Sequence, residues 1–147
     1  MEPHPSQTCG CDACVTDHGP APFCAHIMGA ARQNPNFRTA FWTGSHLQMT
    51  LMHIPPCGEI GLEMHPDTDQ LIRVEHGRAL VRMGSCRESL DYSCCLNAGD
   101  GVFVPAGTWH NVCNGGNGPL KLSSIYAPPH HPKGTVHPIK ADAAPKD

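Results

Sequence analysis

Charged residues are scarce in this chain of 147 residues: Asp, Glu, Lys and Arg make up 16%, and they leave a net charge of only -3. With no basic excess there is no broad field to draw in nucleic acid, and none is expected as a partner. Long apolar runs are missing too; none approaches the ~20 residues of a membrane span. The first residues lack a charged-then-apolar signal region, so the expectation is a cytoplasmic protein with no membrane partner. Neither βαβ alternation nor an internal repeat is present. Few charges together with 15 Gly and 15 Pro exclude a helical bundle and favour short strands joined by many turns. The length suits one domain around one core.

Cysteine, by contrast, is plentiful, and its count of nine is odd. Without a secretion signal, free thiols or metal binding are favoured over a disulfide scaffold. Cys57, Cys86, Cys94, Cys95 and Cys113 read as small buried hydrophobes. The other four belong to the lead-in. Residues 1–22 are rich in Pro, Gly and polar residues and hold Cys9, Cys11 and Cys14, with Cys24 ten residues on and His4, His18 and His26 nearby. Three thiolates so close can wrap a soft tetrahedral ion, with Cys24 or a histidine as the fourth ligand, so a structural zinc is one expectation. A loose tail with reducible thiols is the other.

Pro22 suits a first helical turn, and Asn34-Pro35-Asn36 would end the short helix predicted within residues 23–34. From Phe37 the pattern turns to β. In residues 46–52, Leu47, Met49 and Leu51 fall on one face, and His46, Gln48, Thr50 and Met52 on the other. Further strands are predicted at 70–75, 78–83, 101–104, 110–113 and 120–126, with a strand pair around Tyr92. Short strands at even spacing make an all-β sandwich or barrel. The division expected is a Cys-rich lead-in (1–36), a barrel (37–128) and an extended C-terminal tail (129–147). Its prolines forbid a regular ladder, so the tail should lie over the barrel or a partner, with His130, His131 and His137 at the surface.

The chemistry concentrates in Gly58–Gly77, GEIGLEMHPDTDQLIRVEHG, and in Gly99–Asn114, GDGVFVPAGTWHNVCN. Residues two apart on a strand share a face, which makes Glu63 and His65 neighbours. A turn at Pro66–Asp69 would form a hairpin that brings Gln70 back beside His65, with Asp69 competing for that place. His110 arrives behind the Pro105-Ala106-Gly107-Thr108 turn. Tyr126, Gln48 and Met52 line the cavity or simply fill the core. Trp109 should face the other way, and Asn114 either orients the site or fills a turn.

These two stretches resemble the paired motifs of the cupin superfamily, G-x5-H-x-H-x3,4-E-x6-G and G-x5-P-x-G-x2-H-x3-N. The second matches fully, at Gly99, Pro105, Gly107, His110 and Asn114. In the first, Cys57 stands at the opening glycine, Glu63 at the first histidine and Gln70 at the glutamate, while His65 and Gly77 match. The acid has moved, and the ligand charge of minus one is kept. The resemblance implies a double-stranded β-helix, or jelly-roll barrel, often a homodimer. It also implies a divalent metal held by Glu63, His65, Gln70 and His110, with Fe or Mn favoured over Zn or Ni. Chains of this type resemble the mannose-6-phosphate isomerase-like group, although only Arg73 and Arg82 offer themselves to a phosphate. Expected is a metalloenzyme of isomerase, lyase or dioxygenase type acting on an unidentified small molecule. The alternative is a cupin that binds or senses a small molecule or metal without turnover.

Overall fold

The computed structural model describes residues 16–143. Its one α-helix, α1 (Ile27–Gln33), lies inside the predicted segment but starts after Pro22, because the His26 ring accepts the Gly29 N–H at 3.0 Å and caps it. The strands are β1 (Arg38–Thr43), β2 (Gln48–Ile54), β3 (Asp69–His76), β4 (Arg78–Gly84), β5 (Tyr92–Asn97), β6 (Gly101–Val104), β7 (Trp109–Asn114), β8 (Leu120–Ala127) and β9 (Val136–His137). Around Tyr92 the expected strand pair is a single strand, β5, laid against β4.

The strands form a jelly roll of two sheets, ordered β6-β3-β8-β2-β1-β9 and β5-β4-β7. Alternation along each strand decides what lies between them. Met52, Ile54, Ile72, Val74, Leu120 and Leu122 face inward from the large sheet and meet Val81 and Val112 of the small one. Burying such side chains is worth about 1.5–3 kcal/mol each, which fixes the register. On the outer face of the large sheet, Phe41 and Leu51 pack under Ala31 of α1. Two of the polar groups on that face are bonded, Lys121 Nζ donating to the Asn34 carbonyl at 2.6 Å and Ser123 Oγ to Glu75 at 2.7 Å, while His53 Nδ1 has no hydrogen-bond partner.

Four motif positions hold the turns in the left-handed region, with φ of 67° at Cys57, 93° at Gly77, 96° at Gly99 and 83° at Gly107. At Gly77 a β-carbon would also stand 2.7 Å from the Pro119 carbonyl oxygen, so a side chain there meets backbone as well as strain.

Beyond β8 the chain lies across the barrel as a strap. The buried Gln48 amide clamps it: Oε1 accepts the N–H groups of His130 and His131 at 3.2 and 3.0 Å, and Nε2 donates to the His131 carbonyl at 2.8 Å. Asp17 accepts the Gly134 N–H at 2.9 Å, and the two residues of β9 pair with β1. Despite its prolines the segment therefore does contribute a short rung to the ladder.

The six described cysteines are all free. None of those expected to be buried is so: Cys57, Cys86 and Cys95 are exposed, and Cys94 and Cys113 half-buried. They sit at turns, on the edge strand β5 and on the outward side of β7, where one face meets solvent. Cys24 is exposed, while Cys9, Cys11 and Cys14 lie outside the described residues. Among the described residues no helix is long and apolar enough to cross a membrane.

Candidate metal centre

Glu63 and His110 pair as an isolated antiparallel bridge and exchange both backbone hydrogen bonds, at 3.0 and 2.9 Å, which places their side chains together. His65 follows two residues later, its carbonyl accepting the Gly107 N–H at 2.8 Å, so the Pro105 turn holds both histidines in place. One ligand atom from each of Glu63, His65 and His110 lies within 4.8 Å of the other two. The hairpin expected between this segment and β3 does not form. Glu63 and His65 lie along β7 of the small sheet, while β3 pairs with β6 and β8 in the large one. The turn at Pro66 and Asp67 carries the chain from one sheet to the other, and Gln70 reaches the cavity from its far wall.

The polar atoms in this cavity are arranged for a shared centre. His65 Nε2 lies 3.0 Å from Glu63 Oε1, a contact short enough for the ring to stabilise the carboxylate although its angles fall outside strict hydrogen-bond geometry. His110 Nδ1 is 2.9 Å from the Thr108 carbonyl, which can only accept; the ring proton belongs on Nδ1, and the Nε2 lone pair is free for an ion. Burial pushes the Glu63 carboxyl up, but the adjacent His65 ring, with smaller help from Arg38 and His110, outweighs it and holds the acid below the usual range. Burial drives His110 below the usual imidazole value, against the opposing pull of the Thr108 bond and Glu63. An ionised carboxylate and a neutral imidazole are the forms a metal needs.

The cupin domain profile matches residues 50–126, a stretch that contains this whole centre. The chain belongs to the cupin superfamily. An uncharacterized protein of Bacillus subtilis (strain 168), YrkC, is 54% identical to this cupin over 129 residues, covering 88% of the chain and 69% of YrkC. The crystal structure of BH2720 from Bacillus halodurans has 55% identity and a TM-score of 0.87, over 88% of this cupin and 98% of that chain. Oxalate decarboxylase of Bacillus subtilis, a protein with Mn(II) centres, shares the fold at 24% identity and a TM-score of 0.55, over 60% of this cupin and 23% of that chain.

Within the cupin cavity Gln70 is buried; its Nε2 donates to Ser124 Oγ at 2.8 Å, and its Oε1 has no partner. An unpartnered buried carbonyl oxygen costs roughly 1–3 kcal/mol, and an ion would relieve it. Asp69 points outward and accepts the Ala106 N–H at 2.9 Å, which removes it from the competition for this place. Trp109 faces away from the centre with its ring under Arg87, and Asn114 fills the turn at Gly116 and Gly118. Tyr126 is buried beside His65, ring centroids 5.8 Å apart. Burial pushes its phenol up, so it carries its proton at neutral pH.

Three residues beside the centre were not read from the sequence as part of it, His130 and His131 having been expected at the surface. The strap brings the His130 ring to 4.1 Å from His65, centroid to centroid, and sets His131 against Tyr126 at 5.1 Å. His130 is still solvent-exposed, as expected of the tail, but His131 is half-buried, and its Nε2 is buried without a partner. The third is Arg38, buried at 5% exposure where it was unlooked for, whereas Arg73 and Arg82 face solvent. A signal for Arg38 existed, since its cross-strand partner is the inward-facing Met52. A surface cleft of about 630 Å³, lined in part by Phe37, His53, Cys57 and Lys140, contains none of the three ligand residues.

Proposed function

We propose that this cupin holds one divalent metal ion between Glu63, His65 and His110, with Gln70 Oε1 as a fourth, displaceable ligand, and acts on a small molecule as a metalloenzyme. The observation that carries this reading is the convergence of one possible ligand atom from each of Glu63, His65 and His110 to within 4.8 Å of one another, the two histidines buried. Two imidazoles and one carboxylate with open positions suit Fe(II), and the added amide oxygen suits Mn(II). When bound, such an ion supplies Lewis acidity or a place for oxygen to react.

The chain's own residues do the rest. The Thr108 carbonyl fixes the His110 tautomer, and Ser124 orients the Gln70 amide. Tyr126 keeps a proton at the inner wall, and the strap, with His130 over His65, closes partly over the centre and leaves the Glu63 side chain 27% exposed. That same closure favours a second reading, a binder that retains its cargo without turnover.

Elemental analysis of protein purified without a histidine tag tests the centre. Wild type should carry about one equivalent of metal per barrel and His110→Ala almost none; a metal-free wild type from metal-replete growth would sink the reading. Zinc in the lead-in predicts a further equivalent that the triple variant Cys9→Ser, Cys11→Ser, Cys14→Ser loses.

A further inference from the structure

The inward-facing residues of β1 leave a charge with nothing to answer it. Arg38 is 5% exposed, and its guanidinium is paired with no carboxylate among the described residues. Its Nη1 lies 3.3 Å from His137 Nδ1, its Cζ lies 5.2 Å from the centroid of the Phe37 ring, and its Nε is buried without a hydrogen-bond partner. Proteins seldom bury a cation without a carboxylate in direct contact, and Glu63, the anion it does feel, forms no ion pair with it. The His137 ring that Arg38 touches lies 6.5 Å from that of His131, His131 packs on Tyr126 at 5.1 Å and Tyr126 on His65 at 5.8 Å, so an unbroken run of ring contacts joins the guanidinium to the cavity of Glu63, His65 and His110. The other unpartnered buried nitrogen of the strap, His131 Nε2, lines the same cavity.

We infer that Arg38 binds the carboxylate of a small organic acid whose other end reaches the metal position, so that the substrate class of this cupin is a small carboxylic acid. A planar fork of N–H donors matches a carboxylate with two parallel charge-assisted bonds. A single guanidinium at this end suits a monoanionic carboxylate, since among the described residues Lys121 and Lys140 are engaged elsewhere, with the Asn34 carbonyl and Glu59. The strap that covers the site also limits the acid to a small one. The metal reading supplies only the second anchor, whereas the carboxylate end stands on Arg38 alone.

The test uses the full-length chain in both metal-free and metal-loaded form. Thermal shift and calorimetry would follow acetate, propionate and glycolate, with chloride and inorganic phosphate at equal ionic strength as comparison, on wild type, Arg38→Met and Arg38→Lys. Both substitutions keep the aliphatic stem, and circular dichroism reports whether each variant has folded. Wild type should bind the carboxylates in either form, and glycolate more tightly once metal is present. Arg38→Met should weaken them about tenfold or more with its metal content unchanged, and Arg38→Lys by less, since charge remains and the fork is lost. No carboxylate binding to wild type, or equal binding to a folded Arg38→Met, overturns the inference. So does phosphate binding as tightly as the acids. Loss of metal from His110→Ala is a separate measurement, so a failed metal centre and a failed carboxylate site leave different records.

Discussion

Strand β8 carries Leu120 and Leu122 into one end of the barrel and Ser124 and Tyr126 into the other, and β2 repeats the division with Ile54 and Met52 against Thr50 and Gln48. The first end is closed by aliphatic packing and leaves no polar atom to explain. The second holds the ligand residues and the strap, and Arg38, level with Met52 of β2, reaches towards it; with them come five buried atoms without a hydrogen-bond partner, Arg38 Nε, Thr50 Oγ1, His65 Nε2, Gln70 Oε1 and His131 Nε2. The same strands and the same alternation produce both. Aliphatic packing is concentrated at the floor, and the unpartnered polar atoms at the mouth.

The largest effect that would break this division is at the floor. Leu122→Ala removes a fully buried side chain and should cost about 2–5 kcal/mol in denaturant unfolding, with metal content per folded molecule unchanged. If that variant lost its metal while still folded, floor and mouth would not be separable. The mirror variant, His110→Ala, should empty the mouth and lower the stability of the metal-free protein far less.

Next comes the clamp between strap and barrel. Gln48→Ala removes the acceptor of two backbone N–H groups and the donor to the His131 carbonyl, at about 1–3 kcal/mol. Much of that loss should be local: limited proteolysis should cut within residues 128–135 well before the barrel, and equal cutting rates in variant and wild type would refute the clamp.

Acid should separate the two ends again. Burial, with the nearby Arg38 and His130, lowers His131 to about 3 from its ordinary 6.5. A group whose folded value is depressed contributes stability that is fully present above 6.5 and is lost as pH falls from 6.5 towards 3, because the unfolded chain takes up the proton first. From pH 7 to pH 5 this alone should cost metal-free wild type about 2 kcal/mol, or less if the strap peels away to let the ring protonate. His131→Gln should flatten the slope; an unchanged slope would remove His131 from the account.

How much of this could be read from the chain depended on how each residue is delivered to its place. The motifs are local: Pro105 to His110 forms a turn whose geometry is set by its own residues, and Glu63 and His65 are two apart, so the triad was legible. Gln70 was reached by the wrong route, a hairpin, since nothing local says that Pro66 sends the chain to the other sheet. Arg38 and His131 depend on long-range register, β1 against β2 and the strap against Gln48, 83 residues away. No short pattern encodes such pairings. The cysteines were misjudged because composition says nothing of which side of a strand faces water.

Cys57 provides the smallest and sharpest test, on a turn below the floor. It stands where the family places glycine and keeps the glycine conformation, φ 67°, so a side chain bears the strain of the left-handed region. That costs about 1–2 kcal/mol, and glycine would relieve it while adding roughly 0.4–1 kcal/mol of chain entropy to the unfolded state. Cys57→Gly should therefore raise stability slightly, by about 0.5 kcal/mol, and leave metal content and acid sensitivity as they are. Cys57→Val, whose branched side chain tolerates this region poorly, should move stability the other way by a larger amount. If glycine destabilised the protein, the thiol itself would be making a contact that its exposed position does not reveal.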